Sequence, residues 1–203
     1  MPTGRRSRTP VTPGGGATSR SRTTGLATCR FEQGNLPAAL TSYQTPLAIV
    51  NQLAQSDPGN AGWQRDLSLS HNKISDVQRV QGNLPAALTS YQTSHDIFER
   101  LAQSDPGNAG WRRDLSVSHN KIGDVQVEQG NLPAALTSYQ TGLPIGDRLA
   151  QSDPGNGGWQ RDLSVSQERV GDVQRAQGNL PAALTTYQTA LAIADPAGAI
   201  GAR

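Results

Sequence analysis

The chain has 203 residues, 34% hydrophobic and 4% aromatic, both low for one compact globule. No apolar run approaches the roughly 18 residues that would read as a membrane span, and a single cysteine, Cys29, excludes an internal disulfide. The net charge of +2 hides an asymmetry: residues 1–30 hold six arginines and no acid, leaving 12 basic and 16 acidic residues, a net of −4, in the remainder. The basic pI therefore belongs to the leader and gives no argument for a nucleic-acid-binding body.

Residues 1–24 are mostly Arg, Ser, Thr, Pro and Gly, with almost nothing to bury, and read as a disordered leader. The acid-free, Arg-rich composition also suits an organellar targeting segment or an arm for an anionic partner. Pro10, Pro13 and Gly14–Gly16 spoil any amphipathic helix there. Beyond this point the chain repeats itself. Gln-Gly-Asn-Leu-Pro-Ala-Ala-Leu begins at Gln33, Gln81, Gln129 and Gln177, a step of 48. Ser-Asp-Pro-Gly-Asn recurs at Ser56, Ser104 and Ser152, and a tryptophan follows at Trp63, Trp111 and Trp159. A fixed period of this size means stacked supersecondary units, with one apolar seam per unit and polar outer faces. The units fall near 25–56, 57–104, 105–152 and 153–196, with a disordered tail at 197–203.

Each unit predicts two helices. The first, A, is only a stub in copy one, from about Leu26 to Gln33. The second, B, carries Leu36, Ala39, Leu40, Tyr43, Leu47, Val50, Leu53 and Ala54 on one stripe, the spacing of a helical face. Asp57-Pro58-Gly59-Asn60 ends it with a tight turn. Asn60, Asn108 and Asn156 then cap the A helices of later copies. In copy three, Trp111, Leu115, Ser118, Ile122 and Val125 form the A stripe. Gly130 closes that helix, and Asn131 caps the next one with Pro133 in its first turn. Connections this short predict antiparallel hairpins. Pro46 and Pro144 fall inside B helices, where a proline costs about 3 kcal/mol in isolation and usually kinks the rod. With Gly142 and Gly146 beside Pro144, helix B of copy three reads as the weakest element. Neither end of the array shows a polar cap, which points to a fragment of a longer protein or to self-association.

The two-helix unit resembles the tetratricopeptide repeat (TPR). Copy three gives His119-x2-Ile122-Gly123-x2-Gln126, then Gly130, then Ala135-x3-Tyr139. Copy four gives Val170-Gly171, Gly178, Ala183-x3-Tyr187, Ala190 and Pro196. Small residues at Gly123, Gly171, Ser75 and Ala27, and at Ala39, Ala87, Ala135 and Ala183, let the two helices approach; the tyrosines fill the seam. The family's tyrosine slot holds Arg30, Gln78, Gln126 or Gln174 here, and the period exceeds the usual ~34 residues by about 14. An even split of seven residues per helix keeps the facing stripes in register. The tryptophans then lie in the added turns opposite Leu53, Leu101 and Leu149, and their burial would stabilise a thin core. The resemblance covers about residues 26–196 and implies an all-α, right-handed solenoid of antiparallel helix hairpins, a TPR-like superhelix.

Catalysis is not expected, because no serine-hydrolase elbow, zinc-protease motif, P-loop or Cys-His cluster occurs. No cofactor or metal is implied. His71 and His119 share a repeat position and could stack, but copying explains them better than a two-His metal site. His95 reads as exposed, Cys29 as a small core residue aligned with Val77, Val125 and Val173, and Ser116–Ser118 as packing residues. The resemblance implies a concave face lined by A helices that holds a protein or peptide segment. Its candidate residues are Asn72, Asp76, Arg79, Asn120, Asp124, Glu168, Asp172 and Arg175, three or four apart on one side. The Asp ladder favours a basic segment, partly offset by Lys73 and Lys121; the same pattern also arises on a solvated face with no ligand. The reading is a cytoplasmic, non-enzymatic interaction scaffold. The alternative is a regulatory or sensory fragment of a larger signalling protein. Binding of nucleic acid through the leader is a third reading, and no membrane partner is expected.

Overall fold

The computed structural model describes the backbone of residues 15–195 and the side chains of residues 24–195. Residues 1–14 of the leader and the tail at 197–203 lie outside the described residues. Among the described residues there are eight α-helices and no strand. The A helices are α1 (Gly15–Glu32), α3 (Ala61–Val80), α5 (Ala109–Glu128) and α7 (Gly157–Ala176). The B helices are α2 (Leu36–Ser56), α4 (Leu84–Ser104), α6 (Leu132–Ser152) and α8 (Leu180–Ala194). A and B helices of 20 and 21 residues in the complete copies match an even split of the added length.

The starts of α2 to α8 follow the same local chemistry. The Asn60, Asn108 and Asn156 carboxamides accept from the backbone N–H of Trp63, Trp111 and Trp159. Asn35, Asn83, Asn131 and Asn179 do the same for the B helices. Each cap satisfies one of the four orphan donors at a helix start. Gly130 sits at φ 76, the left-handed conformation that closes α5, and its N–H bonds the Val127 carbonyl. Pro46 and Pro144 lie inside α2 and α6, which nevertheless run unbroken.

α1 is longer than the stub expected from Leu26. It begins at Gly15, so ten residues assigned to the disordered leader are helical. No proline stands between Pro13 and Pro37, so nothing blocks extension of the ladder away from its anchored end at Ala27.

Each helix packs on its chain neighbours, and α5 also touches α7. The result is an all-α solenoid of antiparallel hairpins, TPR-like in build. Its core is a series of seams. Ala39 and Tyr43 of α2 meet Ile74 and Val77 of α3; Ala87 and Tyr91 of α4 meet Ile122 and Val125 of α5; Ala135 and Tyr139 of α6 meet Val170 and Val173 of α7. A larger cluster joins Val50, Leu67, Phe98 and Leu101, with Trp63 and Trp111 packed against it. The tryptophans are only partly buried, contrary to the expectation. They lie in the first turn of an A helix, at the end of the hairpin next to the connecting loop.

Within each hairpin the helices are also bonded. Ser68, Ser116 and Ser164 donate across to the carbonyls of Ser94, Gly142 and Ala190 at 2.9, 3.0 and 3.0 Å. These hydroxyls are buried, so the bonds remove a desolvation penalty as well as fixing register. Small residues at 94, 142 and 190 permit the approach. A Cβ on Gly142 would lie 2.7 Å from the His119 Cβ.

Two glycines separate backbone effects from packing effects. Neither would place a Cβ against any neighbour. Gly130→Ala forces a left-handed alanine and should lower stability by about 1–2 kcal/mol. Gly157→Ala, at the first turn of α7 where the other copies carry Ala61 and Ala109, should raise it by about 0.5 kcal/mol. Urea titration followed by helical circular dichroism checks both signs.

Candidate functional site

The A helices place their polar residues at fixed register, and the structure shows what those residues touch. The Asp76 carboxylate accepts the Tyr91 hydroxyl at 2.5 Å and Lys121 Nζ at 2.9 Å. Asp124 accepts the Tyr139 hydroxyl at 2.8 Å and two bonds from Arg169, at 2.7 and 3.2 Å. Arg79 approaches Asp124 at 3.7 Å and Glu128 at 3.5 Å. Asp172 takes the Tyr187 hydroxyl at 2.7 Å and Arg175 at 3.3 Å. In α1, Thr28 stands in the aspartate slot and meets the Tyr43 hydroxyl at 3.0 Å. Burial, then the neighbouring carboxylate, raises the Tyr91 and Tyr139 phenols above their ordinary range. The ladder of acids therefore does two structural jobs. At Asp76 and Asp124 it anchors the seam tyrosine of its own hairpin and draws in a cation from the next A helix.

The asparagines are placed differently from the acids. Asn120 is buried and donates to Ser166 Oγ on α7 at 2.7 Å. The Oδ1 atoms of Asn72 and Asn120 are buried without a hydrogen-bond partner. A second ladder went unread in the sequence: Arg65 bonds Asp114 at 3.0 Å and Arg113 bonds Asp162 at 2.5 Å. Its signal was the recurring Arg-Asp pair at 65–66, 113–114 and 161–162. All these links between hairpins run from one A helix to the next, which makes the A side the tight, inner side of the stack.

Along that inner side, between α3, α5 and α7, runs a groove of about 600 Å³. Val127, Val165 and Val173 give it an apolar floor, and Glu128, Glu168, Asp172 and Arg175 stand on its walls. Arg79 and Asp124 line it as well. The structure thus gathers Arg79, Asp124, Glu168, Asp172 and Arg175 into one groove. Asn120 lines an adjoining hollow of about 190 Å³ with Lys121 and Arg161, which shares Asp124, Val165 and Arg169 with the groove. Asn72 and Asp76 line neither.

Three side chains depart from their expected surroundings. His95 is half-buried, not exposed: its ring meets that of His119 edge-on at 4.5 Å, and its Nδ1 lies 2.9 Å from Ser118 Oγ. The pairing runs between α4 and α5, so His119 stacks on His95 and not on its repeat mate His71. Position 95 faces the next A helix, where Leu47 and Leu143 sit in other copies. Cys29 is exposed, not in the core. Its register mates are buried because a B helix covers them, and among the described residues no B helix packs on that face of α1. Among the described residues no group of three or more His, Cys, Asp or Glu is placed to hold a metal ion, and no helix is long and apolar enough to cross a membrane.

No protein-family model matches the sequence, and no curated protein matches it. Solved structures do resemble the fold. The crystal structure of BtubC (BKLC) from P. vanneervenii matches with a TM-score of 0.70 at 15% identity, covering 95% of this chain and 68% of that one. The crystal structure of MamA matches with a TM-score of 0.46 at 12% identity, over 85% of this chain and 96% of that one. At 15% identity the likeness to BtubC concerns architecture alone.

Two outcomes follow from the polar network. Asp124→Asn should cost roughly 2 kcal/mol, because it weakens bonds to a buried tyrosine and an arginine together. Asp172→Asn, at a solvated end position, should cost less than about 0.5 kcal/mol. Urea midpoints compare them. The second outcome concerns pH. Burial, with the charge of His95 adding to it, pushes His119 down to about 4 from 6.5. The unfolded chain therefore takes up this proton first as pH falls below 6.5. Stability should decline from there to about pH 4 by on the order of 1–2 kcal/mol, after allowing for solvent screening at a half-buried ring. His119→Gln, the residue copy four carries at Gln167, should remove that part of the decline in urea midpoints measured against pH.

Proposed function

We propose that this chain is a long-repeat array of the tetratricopeptide type, acting as a non-enzymatic interaction module that holds a protein segment in its A-helix groove. One observation carries the reading: an open groove lined by valines and charged side chains lies between α5 and α7, with Arg79 of α3 reaching into it. An apolar floor supplies affinity through burial, and polar walls supply orientation. The groove is too open and too poor in convergent reactive groups to favour a chemical reaction.

The ligand we infer is an extended or helical segment with basic character. Asp76 and Asp124 are already engaged by tyrosines and cations of the array itself. The acids within reach of a ligand are Glu168, Asp172, whose pair with Arg175 is solvated, and Glu128, which Arg79 approaches at 3.5 Å; both of these pairs are open to exchange for a ligand's cation. A lysine or arginine beside an apolar anchor fits this end of the groove, with the anchor seated over Val127 and Val165.

A random peptide library displayed on phage and panned against the full chain tests the proposal. Enriched peptides should pair Lys or Arg with an apolar residue. Their affinity should fall at least about tenfold for the double variant Glu168→Lys, Asp172→Lys, whose altered side chains stand on the groove wall and not in the seams. No enrichment, or enriched peptides indifferent to the variant, would sink it.

A further inference from the structure

The two ends of the array expose the two halves of the seam that the interior repeats three times. At the first end, Leu26 of α1 is 51% exposed, whereas its register mates Ile74, Ile122 and Val170 are 6%, 8% and 4% exposed. Cys29 is exposed one turn further on, where Val77, Val125 and Val173 are buried. Those mates are the residues with which an A helix meets the B helix before it. At the last end, Leu180, Leu184 and Leu191 of α8 are 62%, 60% and 66% exposed. Their mates in the earlier B helices, such as Leu40, Leu88 and Leu136, are half-buried against the A helix that follows.

We infer that copies of this chain associate head to tail, the α8 face of one seating the α1 face of the next as a further B-to-A seam. The occupant is specified by continuity with an interface already present inside the molecule. α8 opens with Leu-Pro-Ala-Ala-Leu, as α2, α4 and α6 do, and Tyr187 stands in the tyrosine slot. In each of those helices this stretch receives two aliphatic residues of an A helix three positions apart. In α1, Leu26 and Cys29 hold that spacing. Charge argues for the same arrangement. Two heads face to face would bring together two acid-free stretches, residues 1–30, of six arginines each, whereas head on tail sets one such stretch against a remainder of net −4. Two tails face to face would set one B face on another, a pairing that no seam inside the array makes.

This contact uses a different patch on each partner, so it is heterologous. It does not close after two copies, and the assembly grows along the solenoid axis or closes as a ring. The inference does not rest on the groove reading, since neither face includes a groove-wall residue.

Sedimentation velocity of the full chain over a range of concentrations tests it, with Leu26→Asp and Leu184→Asp as variants. Both positions are exposed in the single molecule, and unchanged helical circular dichroism confirms that each variant folds. The wild type should pass from monomer through dimer to longer species as concentration rises. Each variant alone should lose this growth, its dissociation constant rising at least about 30-fold, because the contact would bury an unpaired carboxylate. Leu26→Asp keeps a sound tail and Leu184→Asp a sound head, so an equal mixture of the two should form one-to-one dimers and stop there. A wild type that stays monomeric at every concentration overturns the inference. So does a closed dimer that the variants leave intact, or a mixture that forms no dimer.

Discussion

A hairpin of this chain cannot bury its own apolar stripe, and the seam between one B helix and the next A helix is where that stripe goes. Ala39 with Tyr43, Ala87 with Tyr91, and Ala135 with Tyr139 each receive two β-branched residues from the following A helix. Burying such residues is worth roughly 1.5–3 kcal/mol apiece, so each seam adds to the stability of the hairpins on both sides of it. The rest of the structure defers to this contact. Small residues at 94, 142 and 190 bring the two helices of a hairpin close enough to present one combined face. Asparagine caps and the closing glycine set short connectors that keep those faces in phase.

The polar network is laid over the seam and locks its register. Asp76 and Asp124 each hold the hydroxyl of a tyrosine whose ring fills the seam beneath it, so an apolar contact and a charge-assisted bond share one side chain. The same carboxylate then reaches a lysine or arginine on the next A helix. A slip along either helix would break both. Because these cross-links gather on the A side, they hold the inner face closed and shape the groove along it. The network thus connects packing to the surface proposed for binding: residues read in sequence as ligand contacts are, in part, what gives the groove its form.

Elements, caps and connectors were legible because their causes are local. An asparagine before a helix start, a glycine after its end and a proline in the first turn act within a few residues, and each repeats with the period. Surroundings were less legible, because burial depends on which helix lies alongside. Cys29 carries the register of a core residue and is exposed, since among the described residues no B helix covers that side of α1. His95 looked solitary in sequence, yet the next A helix brings His119 against it. The extent of α1 was missed for a related reason: composition shows that a segment has little to bury, but not that an anchored helix can run on through it. Of the groove, the placement of Glu168, Asp172 and Arg175 followed from spacing. The burial of Asn120 did not, because it requires the distance between two A helices that are 48 residues apart in sequence.

Comparison of the copies with one another separates what the fold demands from what it leaves free. The first ten residues of helix B are Leu-Pro-Ala-Ala-Leu-Thr-Ser-Tyr-Gln-Thr in α2, α4 and α6, and differ in α8 only by Thr186. These are the residues of the seam, where any copy must fit any other. The last turn of helix A differs instead: Arg79 and Val80 become Val127 and Glu128, then Arg175 and Ala176. Those positions border the groove. A segment lying across two hairpins would meet an apolar patch at one and an ion pair at the next, so it could settle in one register only. A uniform groove would let it slide by a whole repeat with little change in energy. Sameness in the seam and difference along the groove are thus what the two surfaces separately require, one to join like to like and the other to tell one place from the next.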